Sequence, residues 1–159
     1  MMRMAVIGCG NPNRTDDGVG PEVIRRLRRH ELPSWVELYD AGTDGMAVLY
    51  RARGASHLVI VDARAPEAAP GAVYEVPGEV LASAPDPGAG LHAFRWDHAL
   101  HAGRIIHGQE FPAAVRVLLI EAVDLSFGIG LTPAVEAAAE TVAARVAALA
   151  VAAGDPGWA

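Results

Sequence analysis

Met4-Ala5-Val6-Ile7-Gly8-Cys9-Gly10-Asn11-Pro12-Asn13-Arg14-Thr15-Asp16-Asp17-Gly18-Val19-Gly20-Pro21-Glu22-Val23-Ile24-Arg25-Arg26-Leu27 decides the fold class. Met4–Cys9 is a short apolar run ending in a glycine-flanked turn, the pattern of a buried strand. Gly10–Gly18 is a polar loop. Pro21 stands where a first helical residue would, and Val23, Ile24 and Leu27 recur at helical spacing. Arg25, Arg26, Arg28 and Arg29 fall largely on the other side, as a solvated helix face would. A strand, a loop and a helix in this order are the first half of a βαβ unit.

The rest of the chain repeats the alternation. Trp35–Tyr39 predicts a second strand ending at Asp40-Ala41-Gly42-Thr43, and Thr43 or Asp44 is placed to cap a short helix through Tyr50. His57–Val61 predicts a third strand, almost wholly apolar and so central and covered on both faces, ending at Asp62. Ala72–Val76 predicts a short fourth strand. Residues 77–91 carry Pro77, Gly78, Pro85, Pro87, Gly88 and Gly90 and read as a long loop, a kind of segment that is usually functional or mobile. A helix through Trp96–Ile106, a fifth strand at Val115–Ile120 and a last helix to about Ala153 complete the set. Thr132 is its N-cap and Pro133 its first residue. The pattern predicts one α/β domain over 1–159, a three-layer sandwich with a mostly parallel five-stranded sheet and helices on both faces.

Composition narrows the function. The 159 residues carry 13 basic and 19 acidic side chains, a net charge of -6, which argues against a nucleic-acid partner or an anionic membrane surface. All 13 bases are arginine, which excludes a lysine Schiff base, a P-loop lysine and a Ser–Lys dyad. The single cysteine, Cys9, can form neither an internal disulfide nor a cysteine-rich zinc site. No run reaches the ~20 apolar residues that span a bilayer, and no signal peptide is visible, so the expected compartment is the cytoplasm. Nothing in the apolar pattern calls for an obligate oligomer, so a monomer is expected.

In open α/β sheets, ligands bind beyond the carboxyl ends of the strands. Asn11, Asp16 and Asp17 follow the first strand, Asp40 the second and Asp62 the third. His92, Asp97, His98 and His101 follow the fourth strand and its loop; Glu121 and Asp124 follow the fifth. Acids and imidazoles thus collect at one edge, with no serine or cysteine nucleophile motif among them. Two carboxylates and an imidazole suit a divalent metal such as zinc or nickel, or hydrolysis by a carboxylate and water. Carboxylates held close also raise the pKa of at least one of them. Each has a plainer role open to it. One of Asp16 and Asp17 can cap the first helix, Asp62 can hold a turn, and His98 and His101 share a helix face by spacing alone. His30, His57 and His107 look structural or solvated, and Cys9 looks like core packing. Gly8-x-Gly10 after the first strand invites a dinucleotide reading. Asn13 stands in place of the third glycine, however, and Asp16 and Asp17 would repel a pyrophosphate at the helix start.

Gly8-Cys9-Gly10-Asn11-Pro12-Asn13-Arg14-Thr15-Asp16-Asp17-Gly18-Val19-Gly20 resembles the opening signature of the hydrogenase maturation endopeptidases, G-x-G-N-x-x-x-x-D-[DE]-x-x-G. Asp40-Ala41-Gly42-Thr43-Asp44-Gly45-Met46 resembles their second signature, Val59-Ile60-Val61-Asp62-Ala63 their third, and Gly130-Leu131-Thr132-Pro133-Ala134-Val135 their closing segment. The likeness runs in register over almost the whole chain. It implies an endopeptidase that clips a C-terminal tail from the large-subunit precursor of a nickel–iron hydrogenase once nickel is in place. It further implies a metal site of two acids and a histidine, matching Asp17, Asp62 and His92. His98 competes for the histidine role, because Phe94-Arg95-Trp96-Asp97-His98 departs from the better-known members. The implied nickel is the one already in the precursor. Three other functions compete: a metal-checking binding module that does not cleave, a dinucleotide-binding module, and a related protease with another substrate.

Overall fold

The structure, a computed structural model, describes residues 2–90, 93–155 and 158. Strand β1 (Met4–Cys9) is buried along its whole length. Its side chains alternate between faces: Met4 and Val6 enter one core layer, Ala5, Ile7 and Cys9 the other. The remaining strands are β2 (Val36–Gly42), β3 (His57–Arg64), β4 (Val73–Pro77) and β5 (Ala114–Glu121). They form one five-stranded sheet in the order β2-β1-β3-β5-β4. β1 pairs in parallel with β2 and β3, and β3 in parallel with β5. β4 runs antiparallel to β5 at the edge. The connection over 65–72 explains the reversal, since a parallel return needs a crossover of roughly a dozen residues or more.

Helices cover both faces, as the alternation predicts. α1 (Val19–Leu27) and α5 (Pro133–Val151) pack on one side, through Val19, Val23, Ile24, Val142 and Val146. α2 (Gly45–Ala52) and α4 (Trp96–Ile106) pack on the other, through Val48, Leu49, Trp96 and Leu100. A one-turn helix, α3 (Gly78–Leu81), opens the segment read as a loop over 77–91. The small side chains of Ala138, Ala139 and Ala143 let α5 lie close against the sheet and α1.

Two local expectations change. α1 starts at Val19, after a 3₁₀ turn over Thr15–Gly18, so Pro21 is its third residue. That is still within the first turn, where a missing N–H removes no helical bond. Arg26 is not on a solvated face: it lies three residues after Val23, on the apolar stripe, and is 9% exposed. Its guanidinium meets Glu22 at 3.0 Å, Glu136 at 2.9 Å and Glu140 at 2.8 Å. Arg26 therefore ties α1 to α5, with its charge matched by carboxylates at the layer's rim.

Candidate active site

β2 and β3 leave β1 on opposite sides, so the carboxyl ends of β1 and β3 mark the switch point where open sheets bind ligands. A cavity of about 310 Å³ lies there, lined by Cys9, Asp17, Asp44, Asp62, Arg95 and Trp96 among others. The glycines of the opening motif make it possible. A Cβ on Gly10, at φ +132°, would sit 1.9 Å from the Asp17 carbonyl oxygen and 3.5 Å from Asp62 Oδ1. A Cβ on Gly20 would sit 2.2 Å from the Cys9 carbonyl oxygen and 2.6 Å from that of Val61. The helix start therefore closes directly onto β1 and β3, and brings the Asp17 turn against the end of β3.

Asp16 and Asp17 part company in the 3₁₀ turn, where consecutive side chains diverge by about 120°. Asp17 faces the cavity; its Oδ2 accepts the Asn11 N–H at 2.8 Å. Asp16 is fully buried on the other side. Its carboxylate accepts the N–H groups of Val123, Asp124 and Thr132 and the Thr132 hydroxyl, at 2.7–3.1 Å. Asp16 caps no turn of α1; it clasps the loop after β5. The Thr132 hydroxyl in turn serves Asp16 and leaves α5 without a side-chain cap.

Asp62 lies inside β3, which runs three residues past the predicted end at Val61. Its Oδ1 accepts the Ala63 N–H at 2.8 Å and its Oδ2 the Trp96 indole N–H at 2.8 Å. The Arg95 guanidinium approaches Oδ2 to 3.7 Å. Burial pushes the Asp62 carboxyl up to about 7, opposed chiefly by the indole bond and reinforced by the nearby Asp17 charge. Such a group exchanges its proton at neutral pH, the requirement for a general base. Cys9 also lines the cavity, but burial raises its thiol well above the usual range. The neutral thiol is a poor nucleophile.

The other acids expected at this edge go elsewhere. Glu121 is fully buried and accepts the N–H groups of Glu67 and Ala69 and the Tyr74 hydroxyl, bracing the 65–72 connection. Asp40 holds the Gly42 N–H and Asp124 the Ser126 N–H, both as local turns. Asp44 caps α2 through the Met46 N–H while also lining the cavity. His92 lies outside the described residues. His98 accepts the Arg95 N–H at 3.1 Å as part of the cap of α4, and it lines a separate cavity with Pro85, Pro87 and Phe94. The structure thus brings Asp17 and Asp62 together and keeps His98 apart from them. Among the described residues, no three His, Cys, Asp or Glu side chains are grouped to hold an ion. Asp17 and Asp62 offer a divalent cation two carboxylates, hard oxygen donors with lone pairs left over from their hydrogen bonds.

Arg95 and Trp96 are site residues that sequence spacing does not signal. The indole reaches Asp62 across 34 positions, a pairing fixed only by packing α4 on the sheet. Trp96→Phe keeps the apolar ring and removes the donor. It raises the Asp62 carboxyl further, by about one pH unit for a lost bond to a charged group. Carboxyl ¹³C titration of Asp62 measures this, and an unmoved midpoint would show the indole bond to be inert.

The chain is similar to proteins of one family over most of its length. The hydrogenase maturation protease family matches residues 21–149. The hydrogenase 2 maturation protease of Escherichia coli is 33% identical over 147 residues, covering 91% of this chain and 88% of that protein. The solved structure of the hydrogenase maturating endopeptidase HybD of E. coli superposes with a TM-score of 0.76 at 29% identity, covering 98% of this chain and 94% of that one. The solution structure of an endopeptidase from E. coli gives 0.78 at 29% identity over 97% and 94%.

Proposed function

We propose a reaction for this chain, which belongs to the hydrogenase maturation protease family: hydrolysis of the peptide bond that joins a C-terminal extension to the large-subunit precursor of a nickel–iron hydrogenase, after nickel insertion. The observation that carries it is the meeting of Asp17, from the turn before α1, and Asp62, from the last residues of β3, in one cavity at the switch point.

The nickel is part of the substrate. Asp17 and Asp62, with His92, contact it where it sits in the precursor, and a cation there polarises a carbonyl and lowers the pKa of water. The protein's own groups have separable tasks. The Asn11 N–H fixes Asp17. The Ala63 and Trp96 N–H groups fix Asp62, which is placed to accept a proton from the attacking water. Arg95 faces the same space and offers donors to the carbonyl or the new carboxylate. Because the precursor brings its own metal, the protease reads the cargo and cuts in one encounter. The proposal extends to a cytoplasmic monomer without a nucleic-acid partner, the last in keeping with a net charge of -6. No helix among the described residues is long and apolar enough to cross a membrane.

Asp17→Asn and His92→Ala each abolish processing of nickel-loaded precursor while melting temperature and circular dichroism stay near wild type. A variant that cleaves normally removes its residue from this scheme.

A further inference from the structure

Phe127 and Ile129 are 84% and 89% exposed, and neighbouring Val123 is 44% exposed. Large apolar side chains this bare contribute nothing to the core, and clustered ones mark contact surfaces. The loop that carries them is nevertheless tightly built. Besides the Asp16 clasp on Val123, Asp124 and Thr132, the Thr15 N–H donates to the Gly128 carbonyl at 2.9 Å, and the Gly128 N–H to that of Asn13 at 2.9 Å. The Thr15 hydroxyl donates to the Ser126 carbonyl at 2.7 Å, and Arg14 Nε to that of Leu125 at 3.1 Å. The Arg14 guanidinium also lies over the Phe127 ring at 5.2 Å. Thr15 accepts a left-handed backbone, φ +51°, to make these contacts. A fully buried carboxylate, a strained threonine and a cation over the ring all hold in place side chains that the fold itself does not use.

We propose that this loop, tipped by Phe127 and Ile129, is a docking surface for the folded body of the hydrogenase precursor, distinct from the cavity that meets the scissile bond. The inference rests on the substrate reading above. Two observations choose the occupant. The loop is bridged through its own Gly128 to Arg14, and Arg14 precedes Asp17 by three residues, at most about 11 Å of chain. A partner seated on the loop is therefore held in register with Asp17. The apolar pair also stands exposed on a loop and lines neither of the two cavities described above. An extended tail needs a groove or a free sheet edge, whereas a protruding apolar tip suits a concave, folded partner surface. Pre-ordering the loop lowers the entropy lost on association.

The test is steady-state cleavage of nickel-loaded precursor by wild type and by Phe127→Ser/Ile129→Ser, with melting curves and sedimentation velocity of both. The expected result is a KM raised about 10-fold or more, with kcat retained and melting temperature unchanged, as for hot-spot residues outside the chemistry. Ile129→Arg alone moves KM in the same direction. An unchanged KM in cleaving variants overturns the docking surface and leaves the substrate reading standing. A wild-type dimer that the double variant converts to monomer assigns the loop to a second copy, which also overturns it. Wild type that leaves nickel-loaded precursor intact overturns the substrate reading, and the docking surface with it.

Discussion

Asp62→Asn lowers cleavage of nickel-loaded precursor by on the order of 100- to 10,000-fold, the span associated with loss of a positioned proton-transfer group. The same change steadies the free protein at alkaline pH. The Asp62 carboxyl stands near 7 in the fold, against the usual carboxylate range in the unfolded chain. A raised folded value means the fold binds the extra proton. Asp62 therefore contributes stability below the unfolded value, and that contribution is lost as pH rises through about 7. Relative to wild type, Asp62→Asn gains up to about 4 kcal/mol between pH 4 and pH 8, at about 1.4 kcal/mol per pH unit. Denaturant melts of the two proteins across that range read the difference. A constant gap would show that Asp62 does not carry a displaced pKa. Gain of stability with loss of activity is the signature of a charge kept in a costly place for chemistry.

Asp16→Ala, one residue from the cavity acid, has the opposite profile. It removes the acceptor from the N–H groups of Val123, Asp124 and Thr132 and from the Thr132 hydroxyl. Each buried donor left unpaired costs about 1–3 kcal/mol, and partial rehydration keeps the total near 3–5 kcal/mol. At roughly 2–4 °C per kcal/mol for a domain of this size, the melting temperature falls by about 10 °C. Amide exchange over 122–132 accelerates with it. Chemistry at Asp17 survives in the fraction still folded, so kcat per folded molecule falls far less than in Asp62→Asn. A variant with wild-type stability would show that the clasp is not what orders the loop.

Asp62 and Asp16 mark the limit of what local sequence pattern encodes. The strand and helix series was legible because local pattern decides it. Trp96–Ile106 is helical over the expected span, and Met4–Cys9 is the expected strand. Strand ends were less so: β3 and β5 each run on through an acid, Asp62 and Glu121, because both carboxylates find donors there. The antiparallel edge strand β4 depends on the reach of a connection, and composition carries no sign of that. The family likeness marks Asp17 and Asp62, and both line the cavity. Asp16 and Asp17 are the same residue type side by side, and only the 3₁₀ turn sends one inward as a clasp and the other to the cavity. Arg26 joins α1 to α5 over 110 and 114 positions, and Trp96 joins Asp62 over 34, pairings with no spacing signature.

In the proposed reaction, the carboxylates at the switch point serve a metal-gated peptide-bond hydrolysis. Intact-mass spectrometry of the large-subunit precursor, nickel-loaded and nickel-free, with and without this protein, reads the reaction and its gate together. The expected result is a fixed C-terminal mass loss in the nickel-loaded sample alone, absent when Asp17→Asn replaces wild type. An unchanged mass in every sample, or equal loss with and without nickel, would contradict it.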